Sequence, residues 1–235
     1  MSAPQPGIEH SRPFWAFERG SFWALDLPVG VQPPAPIYPG LPAVLAEVGR
    51  ELAEQLAEAM GWIDKKPVLQ RLARRRCFTA RVEGAIAAYC WISTAHECIG
   101  EMERELQLPA GEAYIWDCAT RPEFRGRHVY GSLLSHIIGE LRCEGVRRIW
   151  IGASLDNRPS LRAFRHAGFQ PMVHAWYMRL FNLTCLMLAK SPAAPENSVA
   201  TLQEMLAFRQ EHAWGPFLFN YSKTIQLPPC LQPES

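Results

Sequence analysis

The sequence has little net charge, no long apolar run and no signal peptide at its start. Lysine and arginine total 24 residues against 23 aspartates and glutamates, so the formal net charge is only +1. A protein that binds nucleic acid through its surface needs a basic face. The apolar runs, such as residues 183–189, are far shorter than the roughly 20 residues that span a bilayer. These absences predict a cytoplasmic protein without a nucleic-acid or membrane partner.

Paired cysteine and histidine motifs are also missing. The 7 cysteines are scattered, no Cys-x-x-Cys occurs, and the 7 histidines follow no zinc-binding pattern. An odd number of unpaired cysteines is typical of a reduced protein, not of a disulfide framework. The sequence therefore predicts no metal site and no disulfides.

What is present is a chain that can fold around a large apolar core. It has 235 residues, of which 48% are hydrophobic and 20% charged, as in ordinary soluble domains. The pattern predicts one domain over residues 1–190 with its characteristic core at 77–180. Residues 11–76 supply a hairpin and helices, and residues 191–235 form an extension packed on the domain.

The N-terminal third is predicted from turn residues and apolar periodicity. Aromatic runs on either side of residues 18–21 predict a β-hairpin, and the following prolines predict an extended connector. Leucines and valines at helical spacing predict a helix over 41–60. A second helix over 68–75 ends in Arg71, Arg74, Arg75 and Arg76. We interpret these cations as a solvated helix end; docking of an anionic substrate is the alternative.

The elements that follow alternate between strands and helices. A strand pair is predicted over 77–92, and an irregular helix or loop over 94–108. A strand over 113–120 and a helix over 130–144 come next. They are followed by a strand over 148–154 and a helix over 159–167. Two further strands (172–180 and 183–189) and a helix (199–211) complete the list. A β-α-β-α order predicts parallel pairing of the two middle strands.

The first informative motif follows the strand over 113–120. It contains Arg125, Gly126 and Arg127 and leads into a helix. Free N–H groups and the positive end of the helix dipole make a helix start an anion site. Two cations and a glycine that lets the backbone approach closely suit that purpose.

The second motif follows the next strand. Asn157 begins a helix, and Gly168 ends it before the apolar anchor Phe169. Asparagine before Arg-Pro is a good helix cap. Either motif alone is weak evidence, whereas the two in this order and at this separation are much stronger.

Together these motifs resemble the GNAT superfamily of acyl-CoA-dependent N-acyltransferases. The resemblance implies an α/β fold with a central mixed, splayed β-sheet flanked by helices, with coenzyme A held in the splay. It implies that the strand end polarises the thioester carbonyl and that the loop amides hold the pyrophosphate. The cofactor-binding residues implied by the resemblance are Cys118, Ala119, Thr120, Arg125, Gly126, Arg127, His128, Val129, Tyr130, Gly131, Ser132, Asn157, Ser160 and Phe164.

Three residues depart from the family pattern. His128 stands where a glycine is usual, and Tyr130 stands where glycine or alanine is usual. Backbone N–H groups remain after any such change, so phosphate binding need not be lost. Phe164 stands near the expected thiol position, where many relatives carry a tyrosine that protonates the departing thiolate, and phenylalanine has no proton to give.

Few acid–base candidates remain. Alternation predicts that Glu112, Tyr114, Trp116 and Cys118 share one face of their strand and that Asp117 lies on the other. The resemblance implies that the Tyr114 side faces the acceptor. We take Asp117, Glu112 and Tyr114 as candidate catalytic residues. A structural carboxylate remains the alternative for Asp117, and a small hydrophobe is preferred over a nucleophile for Cys118.

The predicted function is transfer of an acetyl or larger acyl group from acyl-CoA to an amine. The acceptor, a small molecule or a peptide, attacks the thioester directly, and no metal is needed. The alternative is a catalytically degenerate member that binds acyl-CoA as a sensor or interaction module. A homodimer is left open.

Overall fold

The computed structural model describes residues 15–181, 183–206, 212–214 and 217–221, the last two segments by their backbone. These residues form five α-helices and twelve strands. The strands are β1 (Trp15–Asp26), β2 (Val44–Glu47), β3 (Arg76–Val82), β4 (Ala85–Ser93), β5 (His96–Ile99), β6 (Arg104–Gln107), β7 (Glu112–Thr120), β8 (Arg148–Ser154), β9 (Gln170–Leu180), β10 (Leu183–Lys190), β11 (His212–Trp214) and β12 (Phe217–Tyr221). The helices are α1 (Ala53–Ala59), α2 (Lys66–Leu72), α3 (Val129–Cys143), α4 (Arg158–His166) and α5 (Ser198–Met205).

Ten of the strands form one mixed sheet. Their order is β11-β12-β10-β9-β1-β8-β7-β4-β3-β2, and β5 and β6 pair as a separate hairpin. Strands β7 and β8 run parallel, whereas their other neighbours are antiparallel. The β7–β8 ladder runs from Glu112↔Arg148 to Ile115↔Ile151, and beyond it the two strands separate. The predicted mixed, splayed sheet flanked by helices is confirmed.

The sheet is covered differently on its two faces. Helices α3 and α4 pack on one face, which we call the helix face; its core includes Ile115, Leu133 and Phe164. The β5–β6 hairpin and helices α1, α2 and α5 cover the opposite face, which we call the hairpin face. Its core includes Trp91 and Trp150. Burial of apolar area on both faces is the main stabilising term for such a sheet.

The predicted N-terminal hairpin is wrong. Strand β1 runs without a turn through residues 18–21 and lies between β8 and β9 in the sheet. Gly20 pairs with Ser154 on one side and with Ala175 on the other. Ladders on both edges satisfy more backbone groups than a local turn would, so the turn-forming residues are held extended.

The helix predicted over 41–60 is wrong in its first half. Residues Val44 to Glu47 form strand β2, which pairs with β3 from Arg81 to Phe78. Helical structure begins with a 3-10 turn at Arg50–Leu52 and continues in α1. Alternating apolar residues satisfied a helical spacing by coincidence, and the open edge of β3 decided the conformation.

The segment over 94–108 is also different from its prediction. It forms strands β5 and β6, joined by a 3-10 turn at Gly100–Met102.

The proline-rich connector is extended as predicted and runs along α3. The Gly40 N–H donates to the Arg127 carbonyl over 2.9 Å, and the Ile37 N–H donates to Ser135 Oγ over 3.0 Å.

The remaining elements follow the predictions to within a few residues. The strand pair over 77–92 is β3 and β4, and the strand and helix predictions from 113 to 189 correspond to β7, α3, β8, α4, β9 and β10. Helix α5 begins as predicted, and its predicted continuation over 207–211 lies outside the described residues. Its Leu202 and Met205 join the core of the hairpin face.

None of the helices in the described ranges has both the length and the apolar character needed to cross a bilayer.

Candidate functional site

The separation of β7 and β8 opens a gap in the middle of the sheet. After Ile115↔Ile151 no further pair joins the two strands, although β7 continues to Thr120 and β8 to Ser154. We call the gap between residues 116–120 and 152–154 the β7–β8 cleft. Strand backbone that faces a gap keeps N–H and C=O groups for a ligand. The cleft therefore suits an extended, amide-containing chain.

A β-bulge at Asp117 changes the direction of the side chains along β7. Trp91 pairs with Trp116 and Tyr89 with Ala119, so Asp117 and Cys118 together oppose the single residue Cys90. Asp117 has φ of +41°, and one extra residue reverses the alternation that follows it.

The predicted faces are therefore wrong from Asp117 onward. Cys118 packs against the core of the helix face, whereas Tyr114 and Trp116 lie on the hairpin face. Asp117 turns to the hairpin face as well, where its carboxylate meets Arg71. Strict alternation holds only for an unbroken ladder, and the bulge interrupts it.

The loop between β7 and α3 has the backbone of an anion site. Gly126 has φ of +74° and His128 has φ of +57°, a left-handed conformation that histidine tolerates better than most residues. His128 is the cap residue of α3, and no side chain of the described residues caps that helix. The N–H groups of its first turn thus remain available to an anion.

Two exposed arginines flank this helix start. Arg125 donates from Nε to the Thr120 carbonyl over 3.1 Å, which ties the loop to the end of β7. Arg127 is exposed, and its carbonyl accepts the hydrogen bond from the Gly40 N–H of the connector. The loop is therefore both cationic and held in place.

Tyr130 and Cys118 meet at the helix-face side of the cleft. The two side chains lie close together, and burial raises the pKa of the Tyr130 phenol well above its usual value, with Cys118 adding to the shift. Both residues pack against the core of the helix face. Both are predicted cofactor-binding residues, and the fold brings them together from β7 and α3.

Asn157 caps α4, and its Oδ1 accepts a hydrogen bond from the Ser160 N–H over 3.3 Å. Phe164, one helical turn beyond Ser160, is only 1% exposed. Its ring packs at centroid distances of 6.0 Å from Trp23 and 6.2 Å from Phe169. The capping role of Asn157 is thus visible in the structure, whereas cofactor contacts at Asn157 and Phe164 stay predictions.

The candidate catalytic residues do not gather at one point. Glu112 lies at the paired end of β7, where its carboxylate accepts a hydrogen bond from Trp150 Nε1 over 2.5 Å. At roughly 3.3 Å per strand residue, it lies about 20 Å along β7 from Cys118. Tyr114 lies closer, because its hydroxyl lies beside Gly152 of β8, 3.4 Å from the position that a Cβ would take there, at the point where the strands separate.

Carboxylates surround the hairpin-face side of this point. Burial raises the pKa of Tyr114, and the charges of Glu101 and Glu97 add to the shift. Burial also raises the pKa of Glu18 on β1, and Glu101 contributes to it. The carboxylates of Glu18 and Glu101 therefore lie near the cleft on the hairpin face, whereas the cationic loop lies at the start of α3.

Sequence reasoning missed the role of Arg71. We interpreted this residue as part of a solvated helix end, yet its Nη1 lies 2.5 Å from Asp117 Oδ2. Its guanidinium stacks on the rings of Trp62, Trp91 and Trp116 at 4.7, 5.5 and 5.1 Å. No local pattern signals such a contact, because 46 residues separate the two partners.

Arg75 is likewise anchored. It donates from Nε to Glu97 over 2.6 Å, and Glu97 also accepts a hydrogen bond from Ser93 Oγ. Ser93 in turn accepts one from Trp116 Nε1 over 2.9 Å. Arg71 in α2 and Arg75 just after it thus join this region to the strands, a role that the predicted solvated helix end did not include. No cluster of three or more potential metal ligands occurs within the described part of the chain.

Comparison with known proteins identifies the family. Residues 46–169 match the family described as Acetyltransferase (GNAT) family, which is more than half of the chain. The chain belongs to this family of acetyltransferases. A search of curated proteins finds no match to the sequence.

Solved structures share the fold. A GNAT-family protein from Novosphingobium aromaticivorans aligns with a TM-score of 0.50 and 19% identity, over 80% of this chain and 70% of that one. A GCN5-related N-acetyltransferase from Sphaerobacter thermophilus aligns with a TM-score of 0.50 and 17% identity, over 77% of this chain and 54% of that one. The expected fold and family are confirmed.

Proposed function

We propose that this acetyltransferase binds acyl-CoA in the β7–β8 cleft and transfers the acyl group to an amine. The observation that carries this proposal is the juxtaposition of two binding features. The edge of β7 that faces β8 has no strand partner over residues 118–120, and the uncapped start of α3 with Arg125 lies at the end of the cleft. One feature suits the amide-containing pantetheine arm, and the other suits the pyrophosphate.

The residues present fit coenzyme A without a metal. The amides of residues 127–131 bind the phosphates, Gly126 allows their close approach, and Arg125 and Arg127 supply positive charge. The Ser132 N–H was predicted to join them but donates to the His128 carbonyl within α3. Asn157 and Ser160 at the start of α4 contact the arm from the other side of the cleft. The bound acyl-CoA supplies the activated thioester, and the N–H groups at the end of β7 polarise its carbonyl.

The acceptor approaches from the hairpin face. Supporting this, Tyr114 borders the cleft on that face, and the carboxylates of Glu18 and Glu101 lie near it. Negative charge attracts a protonated amine, whether it belongs to a small molecule or to a peptide. Orientation of the amine against the thioester then supplies much of the rate enhancement.

The departing thiolate needs a proton, because a free thiol has a pKa of about 8.5. Phe164 has none to give. Water or the phenol of Tyr130, which lies beside Cys118 at the cleft, supplies it in our proposal.

The proposed acyl transfer is tested by measuring turnover of acyl-CoA. Purified protein is incubated with acetyl-CoA, or with a longer acyl-CoA, and a panel of amines, and release of free coenzyme A thiol is followed. We expect thiol release that depends on one class of amine. Tight acyl-CoA binding without release in any mixture would favour the alternative, a sensor that binds acyl-CoA and does not turn over.

We further propose that residues 1–190 form the transferase unit, that residues 191–235 extend it, and that the protein acts in the cytoplasm. Expression of residues 1–190 alone, followed by measurement of thiol release, tests the first point. Cell fractionation tests the location, and light scattering tests whether two copies associate.

A further inference from the structure

The ion pair between Arg71 and Asp117 is the most enclosed charged contact at the cleft. The Asp117 side chain is 3% exposed and that of Arg71 is 21% exposed. Three tryptophan rings enclose the guanidinium, and stacking on aromatic rings leaves its edge free to bind the carboxylate. This contact therefore has a single, well-defined geometry.

Asp117 needs such support because of its backbone. A non-glycine residue with positive φ inside a strand is strained, and such strain persists only where the surroundings enforce it. Asp117 has φ of +41° and is one of two residues that oppose Cys90. Without the bond to Arg71, a regular ladder would be the lower-energy conformation for this residue.

The bulge sets the direction of the β7 residues that border the cleft. It lies between Ile115, the last residue of β7 paired with β8, and residues 118–120, which border the cleft. The extra residue turns Cys118 to the helix face, where it meets Tyr130. Loss of the bulge would return Cys118 to the hairpin face and would turn the N–H groups that follow it.

We propose that Arg71 is a positioning residue that fixes the bulge at Asp117 and thereby aims the backbone of residues 118–120 at the acyl thioester. Arg71 acts through Asp117 and does not touch the reacting atoms. The inference rests on the proposed acyl transfer in the β7–β8 cleft. It also reassigns Asp117 from a candidate base to a structural carboxylate at the site.

The kinetic test compares two arginines of the same helix region. In Arg71→Met the bulge loses the ion pair with Arg71, and we expect kcat to fall about 100-fold, the loss typical of a small misplacement of a catalytic group. The KM for acetyl-CoA should change less than about threefold, since loop and helix amides bind the phosphates. Arg75→Met removes the largely buried ion pair to Glu97 and should lower stability. It leaves the Arg71–Asp117 pair in place, so kcat of the folded protein should fall less than about threefold.

A double variant separates positioning from general loss of stability. Glycine adopts positive φ without strain, so Arg71→Met combined with Asp117→Gly should keep the bulge and leave no carboxylate unpaired. We expect it to recover at least about tenfold in kcat over Arg71→Met. Equal kcat in Arg71→Met and the natural protein, or a double variant no better than Arg71→Met, would overturn the proposal.

A readout without turnover distinguishes this proposal from the proposed function. Backbone NMR shifts of Asp117 and Cys118 report their φ and ψ angles. They should change in Arg71→Met, return in the double variant and stay unchanged in Arg75→Met. Absence of thiol release from the natural protein would reject the proposed function, whereas unchanged shifts in Arg71→Met would reject the positioning role of Arg71 alone.

Discussion

The rings of Trp23 and Phe164 meet edge to face, with centroids 6.0 Å apart. This contact joins β1 to α4, two elements that are far apart in the sequence and adjacent in the core of the helix face. Because β1 lies between β8 and β9, the packing of its side chains helps to hold the two halves of the sheet together. Phe164 is thus a core residue, whatever it contacts in the cofactor.

Truncation of Phe164 should be strongly destabilising. Phe164→Ala removes a fully buried ring and should lower the free energy of unfolding by about 3–5 kcal/mol, measured by urea denaturation. Phe17 on β1 is 52% exposed, and Phe17→Ala should change the same quantity by less than about 0.5 kcal/mol. Similar losses in the two variants would contradict the packing described for Phe164.

Asn157 allows capping to be separated from cofactor binding. Asn157→Ala should lower stability by about 1 kcal/mol, because the Ser160 N–H loses its acceptor. Asn157→Asp retains that acceptor, so the melting temperature should change little. The amide donor is nevertheless lost and a negative charge is added, so kcat/KM for acetyl-CoA should fall at least about tenfold, the effect of one lost hydrogen bond to a charged or well-placed partner. Full activity of the Asp variant would mean that Asn157 only caps α4.

Arg125 should contribute to cofactor affinity through its charge. Arg125→Glu reverses the charge beside the start of α3, and the Kd for acetyl-CoA measured by calorimetry should rise at least about tenfold at low salt. The difference between variant and natural protein should shrink as salt increases, because screening weakens exposed charges. The exposed Arg50 provides a control with the same charge change. Arg50→Glu should leave the Kd nearly unchanged, and an equal effect of both variants would point to net charge instead of a site.

His174 should make stability depend on pH. Burial lowers the pKa of its imidazole, whose Nε2 lies 3.1 Å from Ser191 Oγ. The unfolded chain therefore binds this proton at a higher pH than the folded protein does. The stabilising contribution is present above the usual histidine pKa of about 6.5 and is lost as the pH falls toward the folded pKa.

The measurement is the difference in unfolding free energy between neutral and mildly acidic buffer. His174→Gln cannot titrate, so this difference should be smaller than in the natural protein. The exposed His96 serves as a control, and His96→Gln should retain the full difference. An unchanged pH dependence in His174→Gln would show that other groups cause it.

Local signals were sufficient to place the helices and strands from Ala113 to Phe169, although not the bulge within β7. Gly145 and Gly168 have positive φ and end helices α3 and α4, and the cap at Asn157 begins the second of them. These residues favour one conformation whatever surrounds them, because the preference comes from their own backbone and side chain. The two motifs that predicted the family lie in this part of the chain.

Pairing partners decided the parts that the predictions missed. Glu18 to Ser21 look like a turn, but β8 and β9 hold them in a central strand. Residues 44–47 follow a helical spacing, but the edge of β3 makes them a strand. In each case backbone hydrogen bonds to distant segments outweigh a weak local preference.

The sequence by itself determined the family, the fold class and the cationic loop before α3, because each depends on residues that are neighbours in the chain. Only the tertiary structure decided the sheet position of β1, the bulge at Asp117 and the burial of Arg71 among three tryptophans. An aspartate tolerates positive φ better than most residues but does not require it. Its conformation therefore depends on an arginine 46 residues away, and only folding brings the two together.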